Sequence, residues 1–336
     1  MVNPLMEEKP STIDRSSPEM SVVIITPDRF ATIRRTIARL RAQSVRDQLE
    51  VVIVAPSAEE LEADDLELAP FHSAQVVEAG EVESLGEANA AGVRRARAPV
   101  VAFVEEHSYP QPGWAEALIE AHRQPWAAVG PVVSNANEGS LVAWADFLIG
   151  YGPWMDPSPG GVRDLLPGHN SSYKRTLLLE YGPELEGMLE SETTLHSSLR
   201  QKGHQLYLEP GARISHLNYE NLSVWIRAQY LSGRAFAADR SEHWSSSRRL
   251  LYAVGGPLIP LVRLRRILGQ MRGTKRPLPP SATVLPALLL GLAISAAGEM
   301  IGYCWGAGDA VQRRWDLEFH RARYLKAEPK PPRPET

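Results

Sequence analysis

The stretch EANAAGVRRARAPVVAFVEEH, residues 87–107, decides the fold. Its first half continues a helix-like segment running from Leu85 to Arg95. Its second half, Pro99-Val-Val-Ala-Phe-Val104, is a short apolar run with no polar alternation, which reads as a parallel strand buried on both faces. Two acids and a histidine, Glu105, Glu106 and His107, leave that strand together. Toward the N-terminus the pattern repeats in Ser21-Val-Val-Ile-Ile-Thr26 and Glu50-Val-Val-Ile-Val54, and more weakly in Gln75-Val-Val-Glu78. Between the first two, Ile33, Ile37 and Leu40 share one face of a helix and arginines occupy the other. Residues 58–70 suit a short helix. This alternation predicts an α/β chain with a right-handed, mostly parallel sheet flanked by helices. Ligands of such sheets sit beyond the carboxyl ends of the strands, here Thr26-Pro27-Asp28, Ala55-Pro56-Ser57 and Glu105-Glu106-His107.

Toward the C-terminus, Gly113–His122 reads as a helix and Ala127–Val133 as a strand. Residues 134–169 place Trp144, Phe147, Tyr151 and Trp154 among Gly and Pro, the composition of a loop-rich substrate wall. Ser172–Tyr181 and Glu192–Lys202 read as helices, the second capped by Gly203. His204–Leu208 and Ala212–His216 read as short strands.

The chain has 336 residues, is 43% hydrophobic and 23% charged, and has one cysteine, Cys304. That excludes wholesale disorder, a disulfide framework and a cysteine-based zinc site. The net charge of −4 gives no reason to expect nucleic acid, but it hides an asymmetry. Residues 1–220 carry 18 Lys+Arg against 32 Asp+Glu, a net of −14; residues 221–336 carry 18 against 8, a net of +10. An acidic body with a basic, partly apolar tail suggests an enzyme held at an anionic membrane surface. In that tail Leu250–Val262 is apolar but too short to span, and Val284–Trp305 is long enough yet contains Glu299. Arginines flank the candidate span on both sides, so they give no orientation. Two short membrane helices forming a hairpin from the cytoplasmic side, or helices lying in the interface, satisfy both flanks. The plainer reading is a soluble helical subdomain whose apolar faces pack on the body or a second copy. No apolar secretory signal is read in residues 1–20, so the body is expected to face the cytoplasm. The expected organisation is a disordered lead-in over 1–19, an α/β domain over 20–220, a basic, apolar helical membrane-associated region over 221–325, and a disordered tail over 326–336.

Five segments in order resemble family 2 glycosyltransferases of the GT-A fold, a Rossmann-like architecture. They are SVVIITPDRFATIRRTIARL (21–40), the 87–107 stretch, HSYPQPGW (107–114), GHNSSYKRTLLLEYG (168–182) and SETTLHSSLRQKGHQLYLEPGARISH (191–216). The resemblance implies transfer of a sugar, with inversion, from a nucleotide-sugar donor to a glycan or lipid-linked acceptor. It implies that Thr26, Asp28, Arg29, Asn89, Gly92, Glu105 and Glu106 face the donor. Glu106, His107 and His216 would hold Mn²⁺ or Mg²⁺ against the diphosphate, Glu192 would be the general base, and His169, Asn170 and Glu190 would face the acceptor. The residues also admit plainer readings. Asp28 suits a turn capping the next helix, Gly92 suits close helix–sheet packing, and Glu192 suits a first helical turn behind a Ser191 cap. His107 and His216 suit polar strand ends, and Asn170 suits a helix cap. The chain departs from the family in lacking a true D-x-D and in carrying Ala55-Pro56 where relatives have acids. Those departures define the alternative, a non-catalytic relative that binds a glycan or a partner enzyme. A second copy of the chain is a further candidate partner.

Overall fold

The computed structural model describes residues 17–273 and 281–324. The expected tail, and all of the expected lead-in except residues 17–19, lie outside the described residues. The first half alternates as its apolar runs dictate: β1 (Met20–Ile25), α1 (Phe30–Arg41), β2 (Leu49–Ala55), the short α2 (Ala58–Leu61) and α3 (Asp65–Leu68), β3 (Ser73–Glu78), α4 (Leu85–Arg95) and β4 (Val100–Phe103). These strands pair in parallel in the order β3-β2-β1-β4, with Ser21 opposite both Glu50 and Val101. Every residue of β2 is buried, including Glu50. A buried carboxylate has to be hydrogen-bonded. Glu50 accepts from the Ser21 hydroxyl, from Gln75 Nε2 (2.8 Å) and from the Arg97 backbone N–H (2.7 Å).

The second half contains β5 (Ser108–Pro110), α5 (Trp114–Ala121), β6 (Ala128–Asn135), α6 (Leu141–Tyr151), β7 (Gly161–Arg163), β8 (Ser172–Lys174), α7 (Arg175–Leu179), α8 (Leu185–Glu190), α9 (Glu192–Gln201) and β9 (Leu206–His216). The sheet continues β4-β8-β6-β9-β5, with β7 also on β9. Only β6–β9 is parallel here; β4–β8, β6–β8, β5–β9 and β7–β9 are antiparallel. The sheet is therefore mixed, and "mostly parallel" describes its first four strands alone. The reversals come from β5, β7 and β8, three residues each, too short to leave a period in sequence. The expected helix over Ser172–Tyr181 divides into β8 and α7. The two expected strands over 204–216 are one strand with a bulge, where Glu209 faces Pro131 and Arg213 faces Val132. The loop-rich expectation for 134–169 missed α6, on which Trp144 and Phe147 are core residues.

The tail forms α10 (Leu222–Arg240), α11 (Ser246–Val254), a 3₁₀ turn (Gly256–Leu258), α12 (Ile259–Gly273), α13 (Ser281–Trp305), α14 (Ala310–Phe319) and a 3₁₀ turn (Arg321–Tyr324). It packs onto the α/β body: Asp146 of α6 accepts from Trp225 Nε1 and Gln229 Nε2 of α10, each at 3.0 Å. Among the described residues, Ala282–Trp305 alone is long and apolar enough to cross a membrane, yet 44% of its most apolar stretch is buried in protein. Glycines set the approach of α13 to α10. A Cβ on Gly298 would lie 2.2 Å from Tyr230 O, and one on Gly233 2.1 Å from Ser295 O. Glu299, 4% exposed, is paired with Arg263 of α12 at 3.2 Å. Gly298→Val should therefore lower unfolding stability by about 1–3 kcal/mol, whereas Ala297→Val, on the exposed face one residue away, should change it little. Denaturant titration of the full chain in mild detergent checks the contrast.

Candidate active site

Beyond β4 the chain turns through Glu105, Glu106 and His107 before entering β5. Thr36 of α1 fixes that turn, its buried hydroxyl donating to Glu106 O (2.7 Å) with Ser108 O at 3.1 Å. His216 ends β9 directly opposite Ser108. The antiparallel pairing of β5 with β9 thus brings two histidines 109 residues apart together, their Nε2 atoms 3.1 Å apart. Glu105 Oε2 lies 3.4 Å from His216 Nε2 and 3.9 Å from His107 Nε2. It accepts from Asn170 Nδ2 (2.6 Å) and Tyr151 OH (3.1 Å).

These three groups form a donor set for a cation, with one ligand atom from each of Glu105, His107 and His216 and all of those atoms within 4.8 Å of one another. Burial pushes Glu105 up, but the neighbouring imidazoles of His107 and His216 outweigh it and hold the carboxyl well below its usual range. Burial, reinforced by the Arg321 charge, holds His107 well below the usual imidazole range. Asn218 donates its amide to Asn135 Oδ1 and His216 O, both at 2.9 Å, leaving its Oδ1 to accept from His216 Nδ1 (2.9 Å). That orients the His216 ring with Nε2 facing the cluster. One carboxylate oxygen and two imidazole nitrogens fit a borderline cation such as Mn²⁺ better than Mg²⁺, which prefers oxygen.

Glu106, expected to be a ligand, stands apart from this set, and Glu105 takes its place. Both Glu106 oxygens are buried and find no hydrogen-bond partner among the described residues. Burial and the Asp28 carboxylate push its carboxyl up to about 8. Asp28 does not cap α1; it pairs with His320 (3.2 Å) and Arg323 (2.9 Å). Thr26 is buried and its hydroxyl accepts from the Asp28 N–H (3.3 Å), while Arg29 is exposed and paired with Glu62 (3.4 Å). Asn89 is buried on α4. Gly92 sits against β1, where a Cβ would meet Val23 Cγ1 at 2.5 Å, so this glycine serves close helix–sheet packing.

Glu192 opens α9, and Ser191 makes no side-chain cap to it. Its carboxylate pairs with His169 Nδ1 at 2.7 Å and lies over Gly168, where a Cβ would be 1.2 Å from Oε2. A single 3₁₀ turn, Gly168–Asn170, therefore touches Glu192 at one end and Glu105 at the other. Glu190 does not face an open site. It accepts from Ser84 Oγ (2.8 Å), Gly86 N (2.8 Å) and Trp315 Nε1 (2.6 Å), fastening α8 to α4 and α14.

Sequence reasoning missed the return of the tail to this place. Trp315 lies edge-on to His169, and Arg321 is 4% exposed. The Arg321 guanidinium donates to Leu217 O (2.9 Å) and Glu318, and stacks on Tyr219 at 4.2 Å. Burial opposes its charge, but Glu318 and the other anions nearby outweigh that and keep it positive.

The His169–Glu192 pair gives a direct pH test. Burial disfavours the imidazolium, but the Glu192 carboxylate overrides it and raises His169 to about 9. A raised folded-state pKa stabilises the fold fully below the unfolded value near 6.5, and that contribution fades as pH rises through about 9. Ring-nitrogen NMR should show the His169 midpoint near 9 in the wild type and at or below the ordinary value in Glu192→Gln. Identical midpoints would exclude the pair.

Residues 21–182 match the family model described as glycosyl transferase family 2. Among solved structures, GalNAc-T7, determined with UDP, GalNAc and Mn²⁺, aligns at 16% identity with a TM-score of 0.48. The alignment covers 62% of this chain and 44% of that one, so it spans less than half of that protein's length. No curated protein matches the chain. Residues 21–182, from the first strand to the turn after α7, thus carry a glycosyl transferase family 2 domain.

Proposed function

We propose that this protein transfers a hexose from a nucleotide-sugar donor to a hydroxyl of a glycan or lipid-linked acceptor, with inversion. It works at the cytoplasmic face of a membrane, in the synthesis of a cell-surface polysaccharide or glycolipid. One observation carries the reading: the Gly168–Asn170 turn holds a cation-competent cluster through Asn170–Glu105 (2.6 Å) and a separate carboxylate through His169–Glu192 (2.7 Å). Inverting transfer needs charge compensation at the leaving diphosphate and a base on the opposite side of the sugar.

Glu192 takes the proton from the acceptor hydroxyl as that oxygen attacks the anomeric carbon. His169 holds the Glu192 carboxylate in place as an anion, and Gly168 leaves room for it. Glu105, His107 and His216 would hold Mn²⁺, which when bound supplies positive charge for the departing diphosphate. Arg321 adds a fixed positive charge close to Glu105, Glu106 and His107. Asp28 meets the base or ribose once His320 and Arg323 yield it. The second reading, a non-catalytic binding module, is favoured by that double engagement of Asp28 and by the absence of a carboxylate at Ala55-Pro56.

A thermal-shift screen of UDP, GDP, dTDP and CDP, with and without Mn²⁺, separates the two readings. The expected result is a Mn²⁺-dependent shift for one nucleotide, lost in His216→Ala and kept in Glu192→Gln. Turnover of the matching nucleotide sugar should fall about 10²–10⁴-fold in Glu192→Gln. Gly168→Ala should displace the Glu192 carboxylate and lower kcat by about 10²-fold, with the nucleotide shift unchanged. A nucleotide shift without turnover under any acceptor supports the binding module, and no shift at all sinks the transfer reading.

A further inference from the structure

The elbow formed by α11, the Gly256–Leu258 turn and α12 has an apolar outer surface that the transfer site does not use. Leu250, Leu251, Val254, Leu258, Leu261 and Val262 are each 60 to 71% exposed. Scattered exposed leucines need no explanation, but six within 13 residues on one elbow make a patch of the kind that marks a binding surface. Its charge indicates the occupant. Residues 244–273 contain six arginines and no acid. Arg248, Arg265 and Arg266 are exposed beside the ridge. At the near end, Trp244 stacks on Tyr303, Tyr252 packs against both, and Arg248 lies over the Trp244 ring at 4.0 Å. Trp305, 72% exposed, follows Tyr303. An apolar ridge bordered by arginines and by Trp and Tyr is the composition of an interfacial anchor on an anionic bilayer.

The elbow is too short to cross a bilayer and is broken by Pro257 and Pro260. The helix that is long enough, α13, lies behind it as packing. Arg263 reaches back from α12 to Ser295 Oγ (3.0 Å) and Glu299 (3.2 Å), while glycines hold the other side of α13 against α10.

We propose that the α11–α12 elbow is a monotopic membrane anchor whose apolar ridge enters the interface of an anionic lipid bilayer while α13 stays within the protein. The proposal deepens the membrane placement given above and does not depend on the transfer reading. The test is flotation of the full chain with vesicles of phosphatidylcholine alone or mixed with phosphatidylglycerol. The wild type is expected to float with the mixed vesicles, less with phosphatidylcholine alone, and less at high salt. Leu251→Asp/Leu258→Asp/Val262→Asp should weaken flotation about tenfold or more. Arg248→Gln/Arg265→Gln/Arg266→Gln should remove the preference for the anionic lipid and retain the binding to phosphatidylcholine. All substituted side chains are exposed, so circular dichroism and the unfolding midpoint should match the wild type and show that both variants fold. If the ridge variant floats like the wild type and resists alkaline extraction from cell membranes, α13 spans; the elbow proposal then falls and the membrane placement stands. If the wild type does not float, both fall. A lipid-free dimer that the ridge variant dissolves would assign the elbow to a second copy and overturn the proposal.

Discussion

A carboxylate held among buried strands is tolerable only if hydrogen bonds and positive charge answer it. Glu105 meets that requirement by drawing in four separate parts of the chain. Asn170 comes from the turn before β8, Tyr151 from the end of α6, His216 from the end of β9, and His107 from its own turn. Each of these groups arrives on an element whose position is set by something else: Thr36 pins the turn to α1, and the β5–β9 pairing sets the two histidines. The geometry around the carboxylate is thus a consequence of the sheet, including the short antiparallel strands that depart from a simple α/β order. A longer parallel strand in place of β5 would not bring Ser108 opposite His216, and the cluster would not close.

The same logic explains why the tail belongs to the site. The acidic body sets Asp28 beside Glu106 and places Glu190 between α8 and α4, and the +10 segment supplies partners to both places. Arg323 and His320 meet Asp28, Trp315 meets Glu190, and the Arg321 charge acts on the Glu105–Glu106–His107 turn. The charge asymmetry seen in the sequence therefore has two uses. Arg248, Arg265 and Arg266 are exposed beside the apolar ridge, whereas Arg321 pairs with Glu318 and Arg323 with Asp28 of the body.

The parallel half of the fold was legible because β-branched runs of five or six residues between helical periods have few other structural solutions. Glu105, His107 and His216 were legible as chemistry because they end strands. Their partnership was not fully legible: nothing in Glu105-Glu106-His107 says which acid joins the histidines. The turn pinned by Thr36 decides that, and it places Glu105 with the histidines. Asp28 looked equally suited to a helix cap, and its real partners lie some 300 residues away, beyond any local signal. Helix α6 was hidden because its Gly- and Pro-rich flanks suggested loop, although Leu141–Tyr151 itself contains no proline. Gly168 shows the reverse limit. A glycine beside a proline reads as a turn, and only the Glu192 carboxylate lying over it reveals a second requirement.

The two faces of the tail are joined by a short physical path. Arg249, at the start of the elbow, donates to Tyr303 O at 3.0 Å, and Arg234 donates to Gly306 O at 3.0 Å, so the C-terminal end of α13 is fixed to both α11 and α10. Four residues after Gly306 α14 begins, and its ten residues span about 15 Å, carrying Trp315 to Glu190 and leading into the Arg321 turn. An acceptor with a lipid tail would have its head group near the bilayer surface and its reactive hydroxyl beyond it. An anchor seated at the start of that path and a base standing against its far end would then match the two ends of one substrate. Under the proposed function this accounts for an anchor built from the same helical region that closes on the site. Contacts with Asp28 and Glu190 hold α14 and the turn after it at the site end of that path, and the proposed anchor lies at the other end.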